Sequence, residues 1–541
     1  MSLKQEAVQA SPQLDDGSGR RARESHARNW RGLGGGFVVK LVLMALINAF
    51  GVLVVLSAYR VENWFILVGM VLIVAIADWV YFAKRTIPLK YLLPGLVFLF
   101  TFQIFIFGYT AYIAFTNYGT GHAGTQEQAV EAALIQGERR VDDSPTYPLT
   151  IVQQVGVLGF AINDDGTVRV GSEEQPLSDA GEMSGSGAPA EVPGWDVVDR
   201  AQLLSDKELQ QSVVDLRVPM SEDPNDGSLR TRDAVTAAVY TSTLVWDEQA
   251  QTITDTTTGT VYHATDRGTF TSDDGESLPT GWAVNVGFEN FTRLFTDPDL
   301  AEPMVLVLGW TLVWSILSVV LPFALGLFVA LVFNDPRVRG RKWMRVLFVL
   351  PYAFPAFMSA LVFRGMFNAE FGIINDLFFF GADINWLGDP TLARIAVVWV
   401  NVWLSYPYWL LVCTGALQAI PSDALEAAEI DGASKFRRFR SIILPLLLVS
   451  TAPLAISSFA VAFNNFTVIY MFNGGGPSIP GAPYALGYTD ILISAIYDIS
   501  GVSGGAADYG LASALSIISF LFVGLVAFFS FRQTRKLEEF Q

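Results

Sequence analysis

Glu426-Ala427-Ala428-Glu429-Ile430-Asp431-Gly432, followed at fixed offsets by Ile442 and Leu444-Pro445, lies in a polar, basic segment between two long apolar runs. Its pattern is Glu-Ala-Ala-x3-Gly-x9-Ile-x-Leu-Pro. Glu426, Ala427, Ala428 and Glu429 suit a helix. Gly432 lets the backbone turn sharply at that helix's end, and Pro445 stands where a following helix can start. The spacing predicts a short plug-like helix between two spans. Taken alone, it also leaves an ordinary inter-helix loop open.

The runs on either side are long. The chain is 541 residues, 51% hydrophobic, with a mean hydropathy of +0.39, a composition that soluble enzymes of this size rarely show. Apolar stretches long enough to cross a bilayer cover 37–58, 64–82, 91–115, 304–333, 344–367, 391–419, 445–471 and 509–531. The expected class is an all-α polytopic membrane protein with eight transmembrane helices and a mainly β extracytoplasmic domain inserted after the third. The lone Cys413 permits no intrachain disulfide and points to no metal cluster.

Charge separates the chain into parts. Residues 119–290 carry 29 acidic and 9 basic residues, so this segment is acidic and the remainder slightly basic. Basic residues recur at alternate turns. Five arginines (20, 21, 23, 28 and 31) precede the first span, Lys84, Arg85 and Lys90 follow the second, and Arg337, Arg339, Arg341, Lys342 and Arg345 follow the fourth. Lys435, Arg437, Arg438 and Arg440 follow the sixth, and Arg532, Arg535 and Lys536 the eighth. The intervening turns hold only Arg60 in 59–63 and no Lys or Arg in 368–390 or 472–508. Both termini and the Glu426 segment are therefore expected in the cytoplasm, with the acidic segment outside. No basic patch suits a nucleic acid.

The expected organisation is a disordered cytoplasmic tail (1–36), three helices (37–118), an extracytoplasmic domain (119–285) and a permease-like core (286–541) containing the loop 421–445. In the inserted domain, Gln126–Gly137 reads as a helix. Tyr147–Ile162, Val235–Trp246 and Thr252–His263 read as strands, and Asp164-Asp165-Gly166 as a hairpin turn. Residues 171–195 read as a mobile acidic loop. His122 and His263 lack partner motifs and read as surface or packing residues. Val286 to Phe291 reads as the start of an interfacial helix, and Ile491–Ile499 as re-entrant or interfacial because it is too short to span.

Polar groups in a bilayer core need a reason. Asn401, Ser405 and Tyr408 share one helix face at i, i+4, i+7, beside Trp403, Tyr406 and Pro407. Ser458, Val461, Ala462 and Asn465 form a matching stripe, beside Ser457 and Asn464. At 1.5 Å per residue the two clusters fall roughly 15–30 Å into a roughly 30 Å core. Amides, hydroxyls and flat rings suit the hydroxyls and C–H faces of a neutral sugar. Ser, Asn and small residues also hold spans together, an alternative that weighs most on Ser457 and Asn464. Lys40, Asp78, Arg364 and Arg394 lie toward span ends and make no buried proton relay. No Gly-x4-Gly-Lys-Ser/Thr phosphate loop is present, so any ATP-derived power is borrowed through the inward plug.

Several stretches resemble one family: Gly287-Phe288-x-Asn290-Phe291, Leu350-Pro351-Tyr352-Ala353-Phe354-Pro355, Trp403-Leu404-Ser405-Tyr406-Pro407-Tyr408, Glu426 to Pro445, Ala462-Phe463-Asn464-Asn465-Phe466 and Gly487-Tyr488-Thr489-Asp490. Residues 281–541 look like the MalF family, the larger permease subunits of bacterial maltose/maltodextrin-type ABC importers. The resemblance implies an ATP-driven importer for maltose, maltodextrin or a related oligosaccharide, with no enzymatic activity or cofactor in this chain. It implies that Tyr352, Asn401, Trp403, Leu404, Ser405, Tyr408, Ser458, Val461 and Asn465 line a sugar site midway across the membrane. It assigns ATPase coupling to Glu426, Ala427, Ala428, Asp431 and Gly432. The partners it implies are a MalG-like permease, two copies of a MalK-like ATPase and an extracytoplasmic sugar-binding protein, in a bacterial cytoplasmic membrane. At four positions in or beside the lining the chain departs from the pattern: Ala356 stands for Ser, Ser405 for Gly, Val461 for Phe and Ala462 for Asn. The loss of two polar groups and a ring could change which sugar is preferred, so maltose is not fixed, while the resemblance still implies an α-glucoside or other oligosaccharide. A membrane-anchored glycosyltransferase would need a carboxylate or metal cluster near the membrane face. An adhesion or receptor protein would need neither plug nor polar stripe.

Overall fold

The computed structural model describes residues 35–538 except 62, 84, 142–143, 184 and 336, with the side chains of 204, 531 and 533–538 also left aside. The tail expected over 1–36 thus lies outside the described residues, apart from Gly35 and Gly36, which begin a helix.

The chain divides into two compact units, Met1–Gly108 and Tyr109–Gln541. In the first, α1 (Gly35–Arg60) packs on α2 (Trp64–Phe82). Both helices are apolar on all sides, as lipid-exposed spans are. Two pairings involve their polar groups. Asn48 Nδ2 donates to Asp78 Oδ1 at 2.9 Å, and the Lys40 ammonium sits 4.6 Å from the Phe82 ring centre. α3 (Ile87–Ile113) follows, with a π-helical turn at Phe100–Ile104.

The inserted domain is β-rich. It opens with α4 (Gln126–Gly137), capped by a reciprocal pair between Thr125 and Gln128. Fourteen strands among the described residues form two antiparallel sheets. The larger runs in the order β5-β4-β3-β2-β9-β8-β7, with β1 (Glu138–Arg140) on β9 and β6 (Asp196–Val197) on β2. Its members are β2 (Tyr147–Gln154), β3 (Val157–Asp164), β4 (Thr167–Ser172), β5 (Ser178–Glu182), β7 (Val218–Pro219), β8 (Ser228–Thr231) and β9 (Thr236–Ser242). The smaller is a meander of β10 (Leu244–Asp247), β11 (Thr252–Asp255), β12 (Val261–Ala264), β13 (Thr269–Ser272) and β14 (Ser277–Gly281). α4 lays Ala129, Val130, Ala133 and Leu134 on the Ile253, Tyr262 and Phe270 of the meander. Between β3 and β4, Asp164 pairs with Thr167, leaving a two-residue turn. Asp165 and Gly166 both have positive φ (47° and 97°), as a tight hairpin requires. The segment 171–195 is not loop throughout, because β5 falls inside it and pairs with β4.

The domain leaves and rejoins the membrane region at one place. Thr116 bridges Asn285, Val284 N–H donates to Asn117 Oδ1 at 2.8 Å, and Asn290 Nδ2 donates to the carbonyls of Ala114 and Thr116. Asn290 and Leu294 of α5 (Glu289–Thr296) are buried, while Phe288 and Phe295 are exposed. One face of this helix is thus anchored in protein.

The remaining long helices are α6 (Pro298–Asn334), α9 (Pro390–Gln418), α11 (Lys435–Phe463, with a π-helical turn at Phe439–Ile443) and α14 (Tyr509–Glu538). α6 and α9 approach so closely at Gly326 that a Cβ there would lie 2.7 Å from the Leu410 nitrogen. Two expected spans are broken. The run 344–367 forms α7 (Arg341–Val349), a 3-10 turn at Leu350–Ala353 and α8 (Ala356–Met366), the two limbs bent by 94°. Pro355 has no N–H to continue the first helix and holds Phe354 extended. The run 445–471 starts earlier, at Lys435, and breaks at Asn464-Asn465 before α12 (Phe466–Asn473). Asn464 Nδ2 donates back to the Ala460 carbonyl at 3.3 Å, and Asn465 Oδ1 caps Val468 N–H. The two amides thus take up backbone groups freed by the break. Among the described residues, seven helices are long and apolar enough to cross a membrane, with the bent α7/α8 pair in addition. The short apolar run at Ile491–Ile499 becomes α13 (Leu492–Ile499), with Leu492, Ala495 and Ile499 buried in protein. The chain is a polytopic membrane protein with a β-rich insertion.

Candidate functional site

α6, the 3-10 turn, α9, α11 and the cap of α12 line an open cavity of about 310 Å³. α6 contributes Ser318, and the turn contributes Tyr352. α9 presents Asn401, Leu404, Ser405, Tyr408 and Trp409; α11 presents Ser457, Ser458, Val461 and Ala462; and Asn465 closes the ring. Eight of the nine residues expected to line a site are here. The ninth, Trp403, is not. Its ring stacks edge-on to Phe363 with centres 5.0 Å apart and lies 6.5 Å from Phe354, so it packs α9 against α8. Helical spacing agrees, because Trp403 sits two residues from Asn401 and Ser405 and so falls on the other side of α9.

The two breaks place the outer members. The bend before Pro355 carries Tyr352 to the cavity on a turn, and the break at Asn464-Asn465 places Asn465 there as a helix cap. Asn401 is 3% exposed and accepts from Ser405 Oγ at 3.5 Å. The Trp409 ring meets Tyr408 and Phe323 edge-on at 5.4 and 5.2 Å. The Ala462 carbonyl is occupied by Trp314 Nε1 at 3.0 Å, which joins α6 to the end of α11. Ser318, Trp409, Ser457 and Ala462 extend the expected lining. Trp409, eight residues after Asn401, is on the same helix face and was legible by periodicity; Ser318 gave no such signal.

No lining residue is charged. Among the described residues, the hydroxyls of Ser318, Tyr352, Tyr408, Ser457 and Ser458 make no hydrogen bond within the chain. Elsewhere in the same helices, hydroxyls turn back on their own backbone. Thr311 donates to Val307 O, Ser315 to Thr311 O, Thr414 to Leu410 O and Thr451 to Leu447 O, each at 2.7 Å. Five lining hydroxyls are thus uncommitted, while these four, away from the cavity, are committed to backbone.

A knot of hydrogen bonds ties Gly487-Tyr488-Thr489-Asp490 to these helices. Trp310 Nε1 donates to Thr489 O at 3.1 Å and Arg394 Nε to Tyr488 O at 2.8 Å. Asp490, 1% exposed, accepts from Gly487 N–H and Ser494 Oγ, both at 2.7 Å. Burial pushes its carboxyl up to about 7.

The Glu426 stretch is a helix, α10 (Ser422–Ile430), with no buried residue. Gly432 has φ +79°. Ala433 N–H donates to Ala428 O at 2.9 Å and Gly432 N–H to Glu429 O at 3.0 Å, a left-handed stop that glycine makes without strain. Ser434 then caps the start of α11, and Arg438 bonds Glu429 at 2.6 Å across the elbow. Ile430 is 87% exposed and Phe436 71%, so apolar side chains project from a polar loop.

Residues 97–174 match the family described as the N-terminal of the TM subunit in PBP-dependent ABC transporters, and residues 322–535 match the binding-protein-dependent transport system inner membrane component family. The chain is 34% identical over 513 residues to a maltose/maltodextrin transport system permease protein MalF of Vibrio vulnificus, covering 91% of this chain and 93% of that one. It is 34% identical to that of Escherichia coli over 496 residues, covering 90% and 94%, and 36% identical to that of Salmonella typhimurium over 500 residues, covering 90% and 94%. Among solved structures, a bacterial ABC transporter involved in the import of the acidic polysaccharide alginate aligns at TM-score 0.40 and 23% identity, covering 46% of this chain and 84% of that chain. The relatives are transport components rather than enzymes, and on their identity and coverage this chain belongs to the MalF family of permease subunits in binding-protein-dependent ABC importers.

Proposed function

We propose that this permease carries a neutral oligosaccharide, of the maltose/maltodextrin or related α-glucoside class, through the cavity between α6, α9 and α11. The carrying observation is the set of hydroxyls that bond nothing in the chain around a cavity without charge. Ser318 Oγ is buried, where leaving it unmet is costly, and a polyhydroxylated ligand meets it together with the more open hydroxyls of Tyr352, Tyr408, Ser457 and Ser458. The volume is at the low end of the roughly 300–1,000 Å³ typical of small-ligand sites. Tyr352, Asn401, Leu404, Ser405, Tyr408, Ser458, Val461 and Asn465 take the contacts, with Trp403 bracing α9 from behind.

The bent α7/α8 pair counts as the eighth span, both termini face the cytoplasm and the β-rich domain lies outside. The basic turns support this orientation. α10, with Glu426, Ala427, Ala428, Asp431 and Gly432, then faces inward as the plug for an ATPase; its exposed Ile430 and Phe436 support a docking role. The assembly comprises a MalG-like permease, two MalK-like ATPases and an extracytoplasmic sugar-binding protein. The test is uptake of radiolabelled maltose, maltotriose and trehalose by the assembled importer in proteoliposomes, alongside thiol labelling of Ile430→Cys in a Cys413→Ser background. ATP-dependent uptake of one of the sugars and labelling from the cytoplasmic side are expected. Uptake of none of them, or labelling of residue 430 from outside, would overturn the reading.

A further inference from the structure

We propose that Ser318 is a specificity-determining contact of this permease, its hydroxyl bonding a hydroxyl of the transported sugar. The proposal rests on the reading of the cavity as the sugar site and adds a wall to it from α6. Ser318 is 6% exposed, borders the cavity, and its Oγ is fully buried with no hydrogen-bond partner. Thr311 and Ser315 show what a hydroxyl on α6 ordinarily does, since both donate to the carbonyl four residues back. Ser318 does not use the Trp314 carbonyl in this way. Its own backbone carbonyl is also released, because Pro322, four residues on, has no N–H to offer it. One residue beside the cavity therefore carries a hydroxyl and a carbonyl that the helix does not occupy. A single χ1 step redirects Oγ without moving the backbone. A sugar hydroxyl, donor and acceptor at once, suits such a pair. A side chain selected only for smallness would not need the hydroxyl: alanine fills that role, as glycine does at Gly326, where α6 and α9 truly touch.

The experiment compares wild type, Ser318→Ala and Asn401→Ala in the assembled importer, reconstituted in proteoliposomes with radiolabelled maltose, maltotriose and trehalose. Removing one neutral hydrogen bond is expected to raise the uptake KM of Ser318→Ala about five- to tenfold. Thermal stability of the sugar-free importer does not fall, because the hydroxyl removed bonds nothing in the chain, whereas loss of a structural hydrogen bond would lower it. A KM within twofold of wild type for Ser318→Ala, with Asn401→Ala impaired, sinks the role of Ser318 and leaves the cavity reading standing. Unchanged KM in both variants sinks the cavity reading as well, as does the absence of uptake of all three sugars by the wild type. If Ser318→Ala does not assemble, Ser318→Cys, of similar size but a weak hydrogen-bonder, is read by the same criteria.

Discussion

Asn401, buried in an apolar helix, is one of the side chains proposed to meet the ligand. Its carbonyl oxygen accepts from Ser405 one turn on, which helps to orient the amide. Replacing it by alanine removes up to two donor hydrogens. Asn401→Ala should raise the KM for sugar about tenfold, the equivalent of roughly 1.4 kcal/mol, read as uptake by the reconstituted importer. Ser405→Gly should act more weakly in the same direction, because the amide then keeps its nitrogen but loses its orienting partner. If Ser405→Gly costs more than Asn401→Ala, the orienting account fails.

At the scale of elements, the stop after α10 depends on one residue. Space is not limiting at Gly432, since a Cβ there meets nothing within 4 Å. The constraint is its φ of +79°, which costs an L-residue about 1–2 kcal/mol. Gly432→Ala should therefore leave the protein folded but tilt α10 relative to α11, so that ATP hydrolysis persists while uptake per ATP falls severalfold. Equal uptake per ATP in variant and wild type counts against α10 as the transmitter. This stop was legible in the sequence because glycine, helix formers and spacing agree. The hydropathy of the long spans was equally legible, since the bilayer thickness sets a length that few other structures share. The breaks at Pro355 and Asn464-Asn465 were hidden: each sits inside a run whose average is apolar, and what stabilises them is local, an N–H that proline lacks and two amides bonding freed backbone. The same limit applied to β5, whose Gly/Ser-rich stretch becomes a strand only because β4 offers it an edge. Ser318 was missed for a further reason. Its importance lies in what it fails to bond, and only three-dimensional placement reveals that.

At the scale of the molecule, pH reaches the transport region through Asp490. A carboxyl raised from 3.8 to about 7 by burial keeps its proton in the folded protein after the unfolded chain has released it. The folded state then binds more protons, so stability falls as pH climbs from about 4 through 7. Asp498, also raised by burial, acts in the same sense. The assembled importer should melt at a lower temperature at pH 8 than at pH 5.5 when followed by fluorescence. Asp490→Asn, which keeps one oxygen to accept from Gly487 N–H and carries no titrating proton, should shrink that difference. An unchanged difference would show that another group dominates.

The bridge between Thr116 and Asn285 has a practical side. Because the polypeptide departs and returns through neighbouring backbones, the β-rich portion is mounted on two adjacent ends, with a further tie from Gly119 and Thr120 to Asp508 and Ala507. Its length can grow or shrink without asking any span to move, since the closure depends on two adjacent ends rather than on what lies between. Domain transplants between relatives are therefore best cut at those two residues.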